Sequence, residues 1–154
     1  MATAGTGPTI VVGVDGSEPS KRALAWAAKQ AALTGAELNV VTTWEFPATF
    51  GWAPPYPEGF DPEGDTRTAL HQTVDAVLGP DPQVPVRVTV REGHPAPILT
   101  EEAEDAALLV VGSRGHGAFM GMLLGSVSEH CASHAACPVV VVRHRDDRVP
   151  AAAR

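Results

Sequence analysis

The sequence predicts an α/β fold: an open five-stranded parallel sheet, strand order 3-2-1-4-5, with helices on both faces. Three observations carry this. Short apolar segments alternate with stretches of helical period along the chain, the pattern of a parallel sheet with helices packed on it. The first strand-helix-strand unit spans 9–44, a length that makes the two strands parallel with a right-handed crossover. Chemistry-bearing residues also follow the first strand (Asp15) and the fourth (Gly112). In such folds ligands bind at the carboxyl ends of the strands, where the order reverses. Those two ends meet only if strands one and four are neighbours, which requires the order 3-2-1-4-5.

Each element has its own signal. TIVVGV (9–14) is apolar and β-branched and stops at Asp15-Gly16, as a buried strand does. Ser17 is set to cap a helix with Pro19 in its first turn. Leu24, Ala27, Ala28, Ala31 and Ala32 repeat at helical spacing, and Gly35 closes the helix. ELNVVTTW (37–44) is the second strand. Residues 45–64 hold five prolines, three glycines and most of the aromatics, with no period, and read as an excursion loop. A helix is expected over 65–78, on Ala69, Leu70, Thr73, Val74, Val77 and Leu78. GPDPQVP (79–85) is a turn cluster. VRVTVRE (86–92) alternates strictly, as a half-exposed edge strand does. Gly93-His94-Pro95 leads into the helix APILTEEAEDA. ALLVVGS (107–113) is apolar on both faces and therefore central. SVSEHCASHAA (126–136) is the last helix and PVVVVR (138–143) the fifth strand. The domain is expected over 9–144, between flexible ends at 1–8 and 145–154.

At 154 residues, 44% of them apolar, the chain makes one compact domain with a substantial core. Its 11 Lys and Arg against 18 Asp and Glu give a net charge of −7. Nucleic-acid binding, which needs a basic patch or stripe, is set aside. No run of about 18 apolar residues predicts a membrane span, and MATAGTGPTIVVGV lacks the basic start of a secretory signal. Two cysteines, Cys131 and Cys137, make no disulfide framework. A reduced cytoplasmic protein is expected.

The densest signal is GSRGHGAFMGMLLGSVS (112–128), with five glycines in seventeen residues. Glycine directly after a strand lets a ligand approach backbone. Gly125-Ser126 then opens a helix whose free N–H groups and positive dipole end suit a phosphate, with hydroxyls from Ser126 and Ser128 beside them. The segment is neither of two familiar phosphate loops. A Walker A loop needs a lysine, and none follows Lys29; the dinucleotide fingerprint G-x-G-x-x-G would place its last glycine at Met120.

V-D-G-S after the first strand, G-x2-G-x9-G-S-V-S after the fourth, and a closing C-P-V-x-V-V-R together resemble the universal stress proteins over about 9–143. The resemblance implies a Rossmann-like fold of the adenine nucleotide alpha hydrolase type, in the same strand order, and ATP binding, with or without Mg²⁺. Carried over residue by residue, it puts Gly13, Val14 and Asp15 beside the adenosine, with the Asp15 carboxylate near the ribose or a metal. Thr43 would offer backbone to the adenine edge. Gly112, Ser113, Arg114, Gly115, His116 and Gly117 would wrap the ribose and phosphates. Gly125, Ser126, Val127 and Ser128 would hold the β- and γ-phosphates. Gly93 sits where the family's third strand turns near the nucleotide.

The absence of a lysine bears on chemistry. Fast phosphoryl transfer needs charge neutralised at the γ-phosphate and a positioned nucleophile. Arg114 and a divalent metal are the only candidate cations, and no general base is aimed at water. Binding without fast turnover is expected, in keeping with the family's role in stress adaptation. The alternatives are a slow ATPase or nucleotidyl-handling enzyme, and an interaction module holding AMP or cyclic AMP.

Other features have plainer readings. Asp15-Gly16 is also a turn dipeptide. Phe119, Met120, Met122, Leu123 and Leu124 fit a lid, a partner contact or ordinary packing. The aromatics of 44–60 fit a flap or a surface loop. His130 and His134 share a helix face, but HCASH lacks the glutamate of a zinc hydrolase. The fifth strand leaves an apolar edge, and a homodimer through 138–143, which the family resemblance also implies, would hide it. ATP and a second copy of the chain are the partners expected.

Overall fold

The computed structural model of the protein describes residues 7–46, 56–114 and 124–143. Among the described residues nine elements alternate: β1 (Thr9–Gly13), α1 (Glu18–Thr34), β2 (Glu37–Trp44), α2 (Pro62–Leu78), β3 (Val86–Glu92), α3 (Pro95–Glu102), β4 (Leu108–Gly112), α4 (Ser126–His134) and β5 (Val139–Val142). The strands form one sheet in the order β3-β2-β1-β4-β5, parallel throughout, with Ile10 facing both Leu38 and Leu108. The expected fold and order are those observed. β2 and β3 have the expected bounds, and β3 is an edge strand.

Strand periodicity divides the core in two. Ile10, Val12, Leu38, Val40 and Val110 point to the face covered by α1 and α2, where Ala23, Leu24, Ala27, Leu70 and Val74 meet them. Val11, Val41, Leu109 and Val111 point the other way, against Ile98 and Leu99 of α3 and Cys131 of α4. Alternate residues thus feed opposite cores, and the central strands are apolar throughout. On the second face a polar strip runs between β2, β3 and α3. Thr89 Oγ1 donates to the buried Asn39 Oδ1 (2.7 Å), and Arg91 bridges Glu101 (2.9 Å) and Glu102 (3.3 Å). The hydrogen bond to Glu101 leads the effects that raise the pKa of the Arg91 guanidinium.

Helix ends differ most from expectation. α1 begins as expected, with the Ser17 side chain accepting from Ser20 N and Gly35 in the left-handed region at φ 71°. α2 begins earlier, at Pro62 rather than 65, because Asp61 caps it by accepting from Gly64 N at 3.0 Å and proline fits the first turn. α3 stops at Glu102, and the chain tightens through i→i+3 bonds from Glu104 N to Glu101 O and Ala106 N to Ala103 O. Of the excursion's aromatics, Tyr56 stacks on Phe60 with centroids 4.6 Å apart, Phe46 meets Tyr56, and Trp44 meets Phe46 edge-on. Residues 47–55, Phe50 and Trp52 among them, lie outside the described residues.

A cleft at the carboxyl ends of the strands

β1, β2 and β4 end side by side, and above them opens a cleft of about 540 Å³. Its floor is Gly13, Thr43 and Gly112, the last residues or nearly so of three adjacent strands. The start of α1 enters from one face of the sheet and the start of α4 from the other, so these two helix N-termini converge at the point where strand order reverses, with Pro95 at the start of α3 beside them.

Those two helix ends are not equivalent. At α1 the positive end is already answered by the protein itself. Asp15 Oδ1 accepts from Ser17 N (2.9 Å) and from Ser17 Oγ, Ser17 caps the helix, and Glu18 lies in the first turn. Ser20 is buried, its hydroxyl donating to Ser17 O (2.8 Å) and accepting from Asp15 N (3.3 Å). At α4 the cap is Gly125, which has no side chain to offer, and the first backbone bond of the helix is Glu129 N to Gly125 O. The N–H groups of Ser126, Val127 and Ser128 therefore have no intrahelical acceptor. Of the two ends, α4 is the one left to an external anion.

Ser113 holds the two ends of the glycine-rich segment together. Its N–H donates to Val142 O, and its carbonyl accepts from Gly125 N at 2.7 Å and from Ser128 Oγ at 3.0 Å. Ser113 is fully buried behind the wall, and the Ser128 hydroxyl is directed at the Ser113 and Gly125 carbonyls. What Ser128 has to give a ligand is its backbone N–H.

Of the expected site residues, Gly13, Val14, Asp15, Thr43, Gly112, Arg114, Gly125, Ser126, Val127 and Ser128 line the cleft. Arg114 is the only Lys or Arg among the described lining residues. Ser113 supports the site from behind. Gly115, His116 and Gly117 lie outside the described residues. Gly93, at φ 132°, donates its N–H to Trp44 O and stands off the cleft. His130 and His134 stack with centroids 4.3 Å apart on α4; among the described residues no group of three metal-ligating side chains is assembled.

Sequence reasoning missed one wall, formed by Thr66, Ala69, Leu70 and Thr73 of α2. Their signal was a stripe at i, i+3, i+4 and i+7 that begins and ends in threonine. It also missed Leu99, which closes the floor beside Gly13: a side-chain carbon added at Gly13 would lie 2.8 Å from Leu99 Cδ1.

An open parallel sheet in this order, with its cleft at the switch point, defines a Rossmann-like α/β protein. The model of the universal stress protein family matches residues 8–143, and the chain belongs to that family. It is 38% identical over 137 residues to a universal stress protein of Mycolicibacterium smegmatis, covering 88% of this chain and 46% of that protein. A universal stress protein of Mycobacterium tuberculosis is 37% identical over 146 residues, covering 91% of this chain and 49% of that one. The chain thus spans about half the length of these curated relatives. Among solved structures, the universal stress protein UspA from Lactobacillus plantarum superposes with a TM-score of 0.71 at 20% identity, covering 88% of this chain and 97% of that one. A universal stress protein in complex with cAMP has a TM-score of 0.61 at 31% identity, covering 90% and 98%. One from Archaeoglobus fulgidus, in complex with dAMP, has a TM-score of 0.59 at 22% identity, covering 88% and 97%.

Proposed function

We propose that the protein binds ATP in this cleft and acts in stress adaptation through nucleotide-dependent binding rather than turnover. The observation that carries the reading is the convergence of three strand ends and the side-chain-free cap of α4 on one cleft of about 540 Å³, a size suited to a nucleotide. In this reading the backbone amides of Ser126, Val127 and Ser128 receive phosphate oxygens. Gly13, Val14 and Asp15 lie along the adenosine, Thr43 meets the base edge, and Gly112 to Gly117 cover the ribose and phosphates. Arg114, alone or with Mg²⁺, balances charge. Slow turnover follows in this reading, because the described lining of the cleft holds no lysine to neutralise charge for phosphoryl transfer.

The protein works in the cytoplasm, where the two free thiols stay reduced, and as a homodimer through the edge strand β5. Calorimetric titration with ATP, ADP, AMP and cyclic AMP, with and without Mg²⁺, tests the function. Saturable ATP binding with negligible steady-state hydrolysis is expected; no binding of any of the four overturns it.

A second reading has a specific observation in its favour. The 31% identical neighbour is bound to cAMP, and a cyclic monophosphate needs only one phosphate held at α4. Tighter binding of cyclic AMP than ATP in the same titration selects that reading.

A further inference from the structure

The end of α4 away from the cleft carries two imidazoles side by side. His130 and His134 stand about one helical turn apart, their rings 19° from parallel with centroids 4.3 Å apart. His134 is exposed and His130 half-buried. His134 Nδ1 donates to His130 O at 3.0 Å. A carbonyl only accepts, so that nitrogen carries the ring proton and the lone pair is left on Nε2. Hydrogen bonds of this kind fix the tautomer and orientation of metal-ligating histidines. His134 also lies in the last turn of α4, the negative end of the helix dipole, where a cation is favoured. Cys131, the residue after His130, is buried in the core, so both donors on offer are nitrogen.

We propose that His130 and His134 form a chelating site for a divalent late transition metal, Cu²⁺ first, with Ni²⁺ and Zn²⁺ weaker. Two imidazole nitrogens on one such ion, each about 2 Å from it, sit roughly 3 Å from one another. Rings with centroids 4.3 Å apart reach that spacing by tilting their outer edges together, with the helix unchanged. Imidazole suits these metals, and copper heads their order of affinity. Among the described residues no third ligating side chain joins the pair, so water completes the coordination sphere. The site is separate from any Mg²⁺ that accompanies a nucleotide, because Mg²⁺ takes oxygen ligands. Ser126 and His134 stand at opposite ends of α4, about 12 Å apart along its axis. Metal capture here does not depend on what the cleft holds.

The test titrates the untagged chain, free of nucleotide, with CuCl₂, NiCl₂ and ZnCl₂ by calorimetry. A single Cu²⁺ is expected at the pair, held more tightly than Ni²⁺ or Zn²⁺. Loss of either ring abolishes the chelate, so His130→Ala and His134→Ala should each weaken Cu²⁺ binding by about tenfold or more, and the double variant hardly further. A transposed variant, His134→Ala with Ala132→His, keeps the number of histidines and moves the second ring off the face of the first. It should bind like the single variants, with the circular dichroism spectrum retained. Electron paramagnetic resonance of the Cu²⁺-loaded wild type, which needs no variant, should show two coordinating imidazole nitrogens. Wild-type binding no tighter than that of the double variant, undiminished binding in the transposed variant, or a single coordinating nitrogen in the spectrum overturns the assignment.

Discussion

Gly112, at the end of β4, lies directly against Pro19 in the first turn of α1. A side-chain carbon on Gly112 would come within 2.8 Å of the Pro19 carbonyl carbon and 2.9 Å of its Cβ and oxygen. Two of those three atoms are backbone, so the contact cannot be relieved by rotating a side chain. The glycine is needed to seat a helix on the sheet, whatever else the cleft asks of it. Gly13 makes the contrast: its nearest obstacle is Leu99 Cδ1, the far end of a flexible side chain.

The two glycines should therefore respond differently to the same change. Gly112→Ala must push α1 away from the sheet, and overpacking of this kind costs about 1–3 kcal/mol. Gly13→Ala should cost less, about 1 kcal/mol, because Leu99 can repack. Urea unfolding of both variants measures the difference. Equal midpoints would show that α1 yields more easily than its backbone contact implies.

Much of the fold was legible because single elements carried unambiguous signals. Strict alternation over 86–92 marked β3 as an edge, and Ser17 and Gly35 marked both ends of α1. The start of α2 was obscured because DPEG has the composition of a turn, while here Asp61 and Pro62 act as cap and first residue. At the site, strand ends announced themselves through Asp15 and glycine. The α2 wall did not, since its residues lie far along the chain from Asp15 and Gly112 and look like weak helix packing. Gly112 shows the limit of such reading: sequence suggests approach by a ligand, and the structure adds close contact with Pro19.

Recognition of phosphate by backbone predicts an asymmetry at Ser126, which is exposed at the first position of α4. Ser126→Ala keeps every amide and should weaken ATP binding by no more than severalfold. Ser126→Asp places a carboxylate where the phosphates would sit. Its charge favours the helix, stabilising it by about 0.3–1 kcal/mol, yet it should lower ATP affinity by tenfold or more. A protein that is more stable but binds less well is the signature, read by thermal unfolding beside calorimetry. Unaltered affinity in Ser126→Asp would mean that the anion lies elsewhere.

Cys131 supplies a pH dependence. Burial pushes its thiol from an ordinary 9.0 up to about 11, with the nearby Cys137 adding to the rise. Burial raises Cys137 in the same direction. A folded-state pKa above the unfolded one contributes stability that is full below pH 9 and is lost as pH climbs through 11. Two units correspond to about 2–3 kcal/mol. Urea midpoints for wild type should fall over that window more steeply than those of Cys131→Ala. Parallel curves would locate the alkaline sensitivity in other groups.

The edge of β5 gives the sharpest test of the proposed dimer, because the ladder to β4 identifies which backbone groups face outward. Leu109 N donates to Pro138 O, and Ser113 N donates to Val142 O. In a parallel ladder the N–H and C=O of one residue point to the same side. Residues 138, 140 and 142 thus face β4, and the amides of Val139 and Val141 face away from the sheet. Lysine at Val140 would confound the test, since that side chain packs against the α1 and α2 core. Val141→Pro removes an outward N–H and spares the ladder, the one setting in which strands accept proline. Light scattering should show the mass fall from dimer to monomer in Val141→Pro, with the circular dichroism spectrum retained. A variant that folds and stays dimeric would place the interface on another surface.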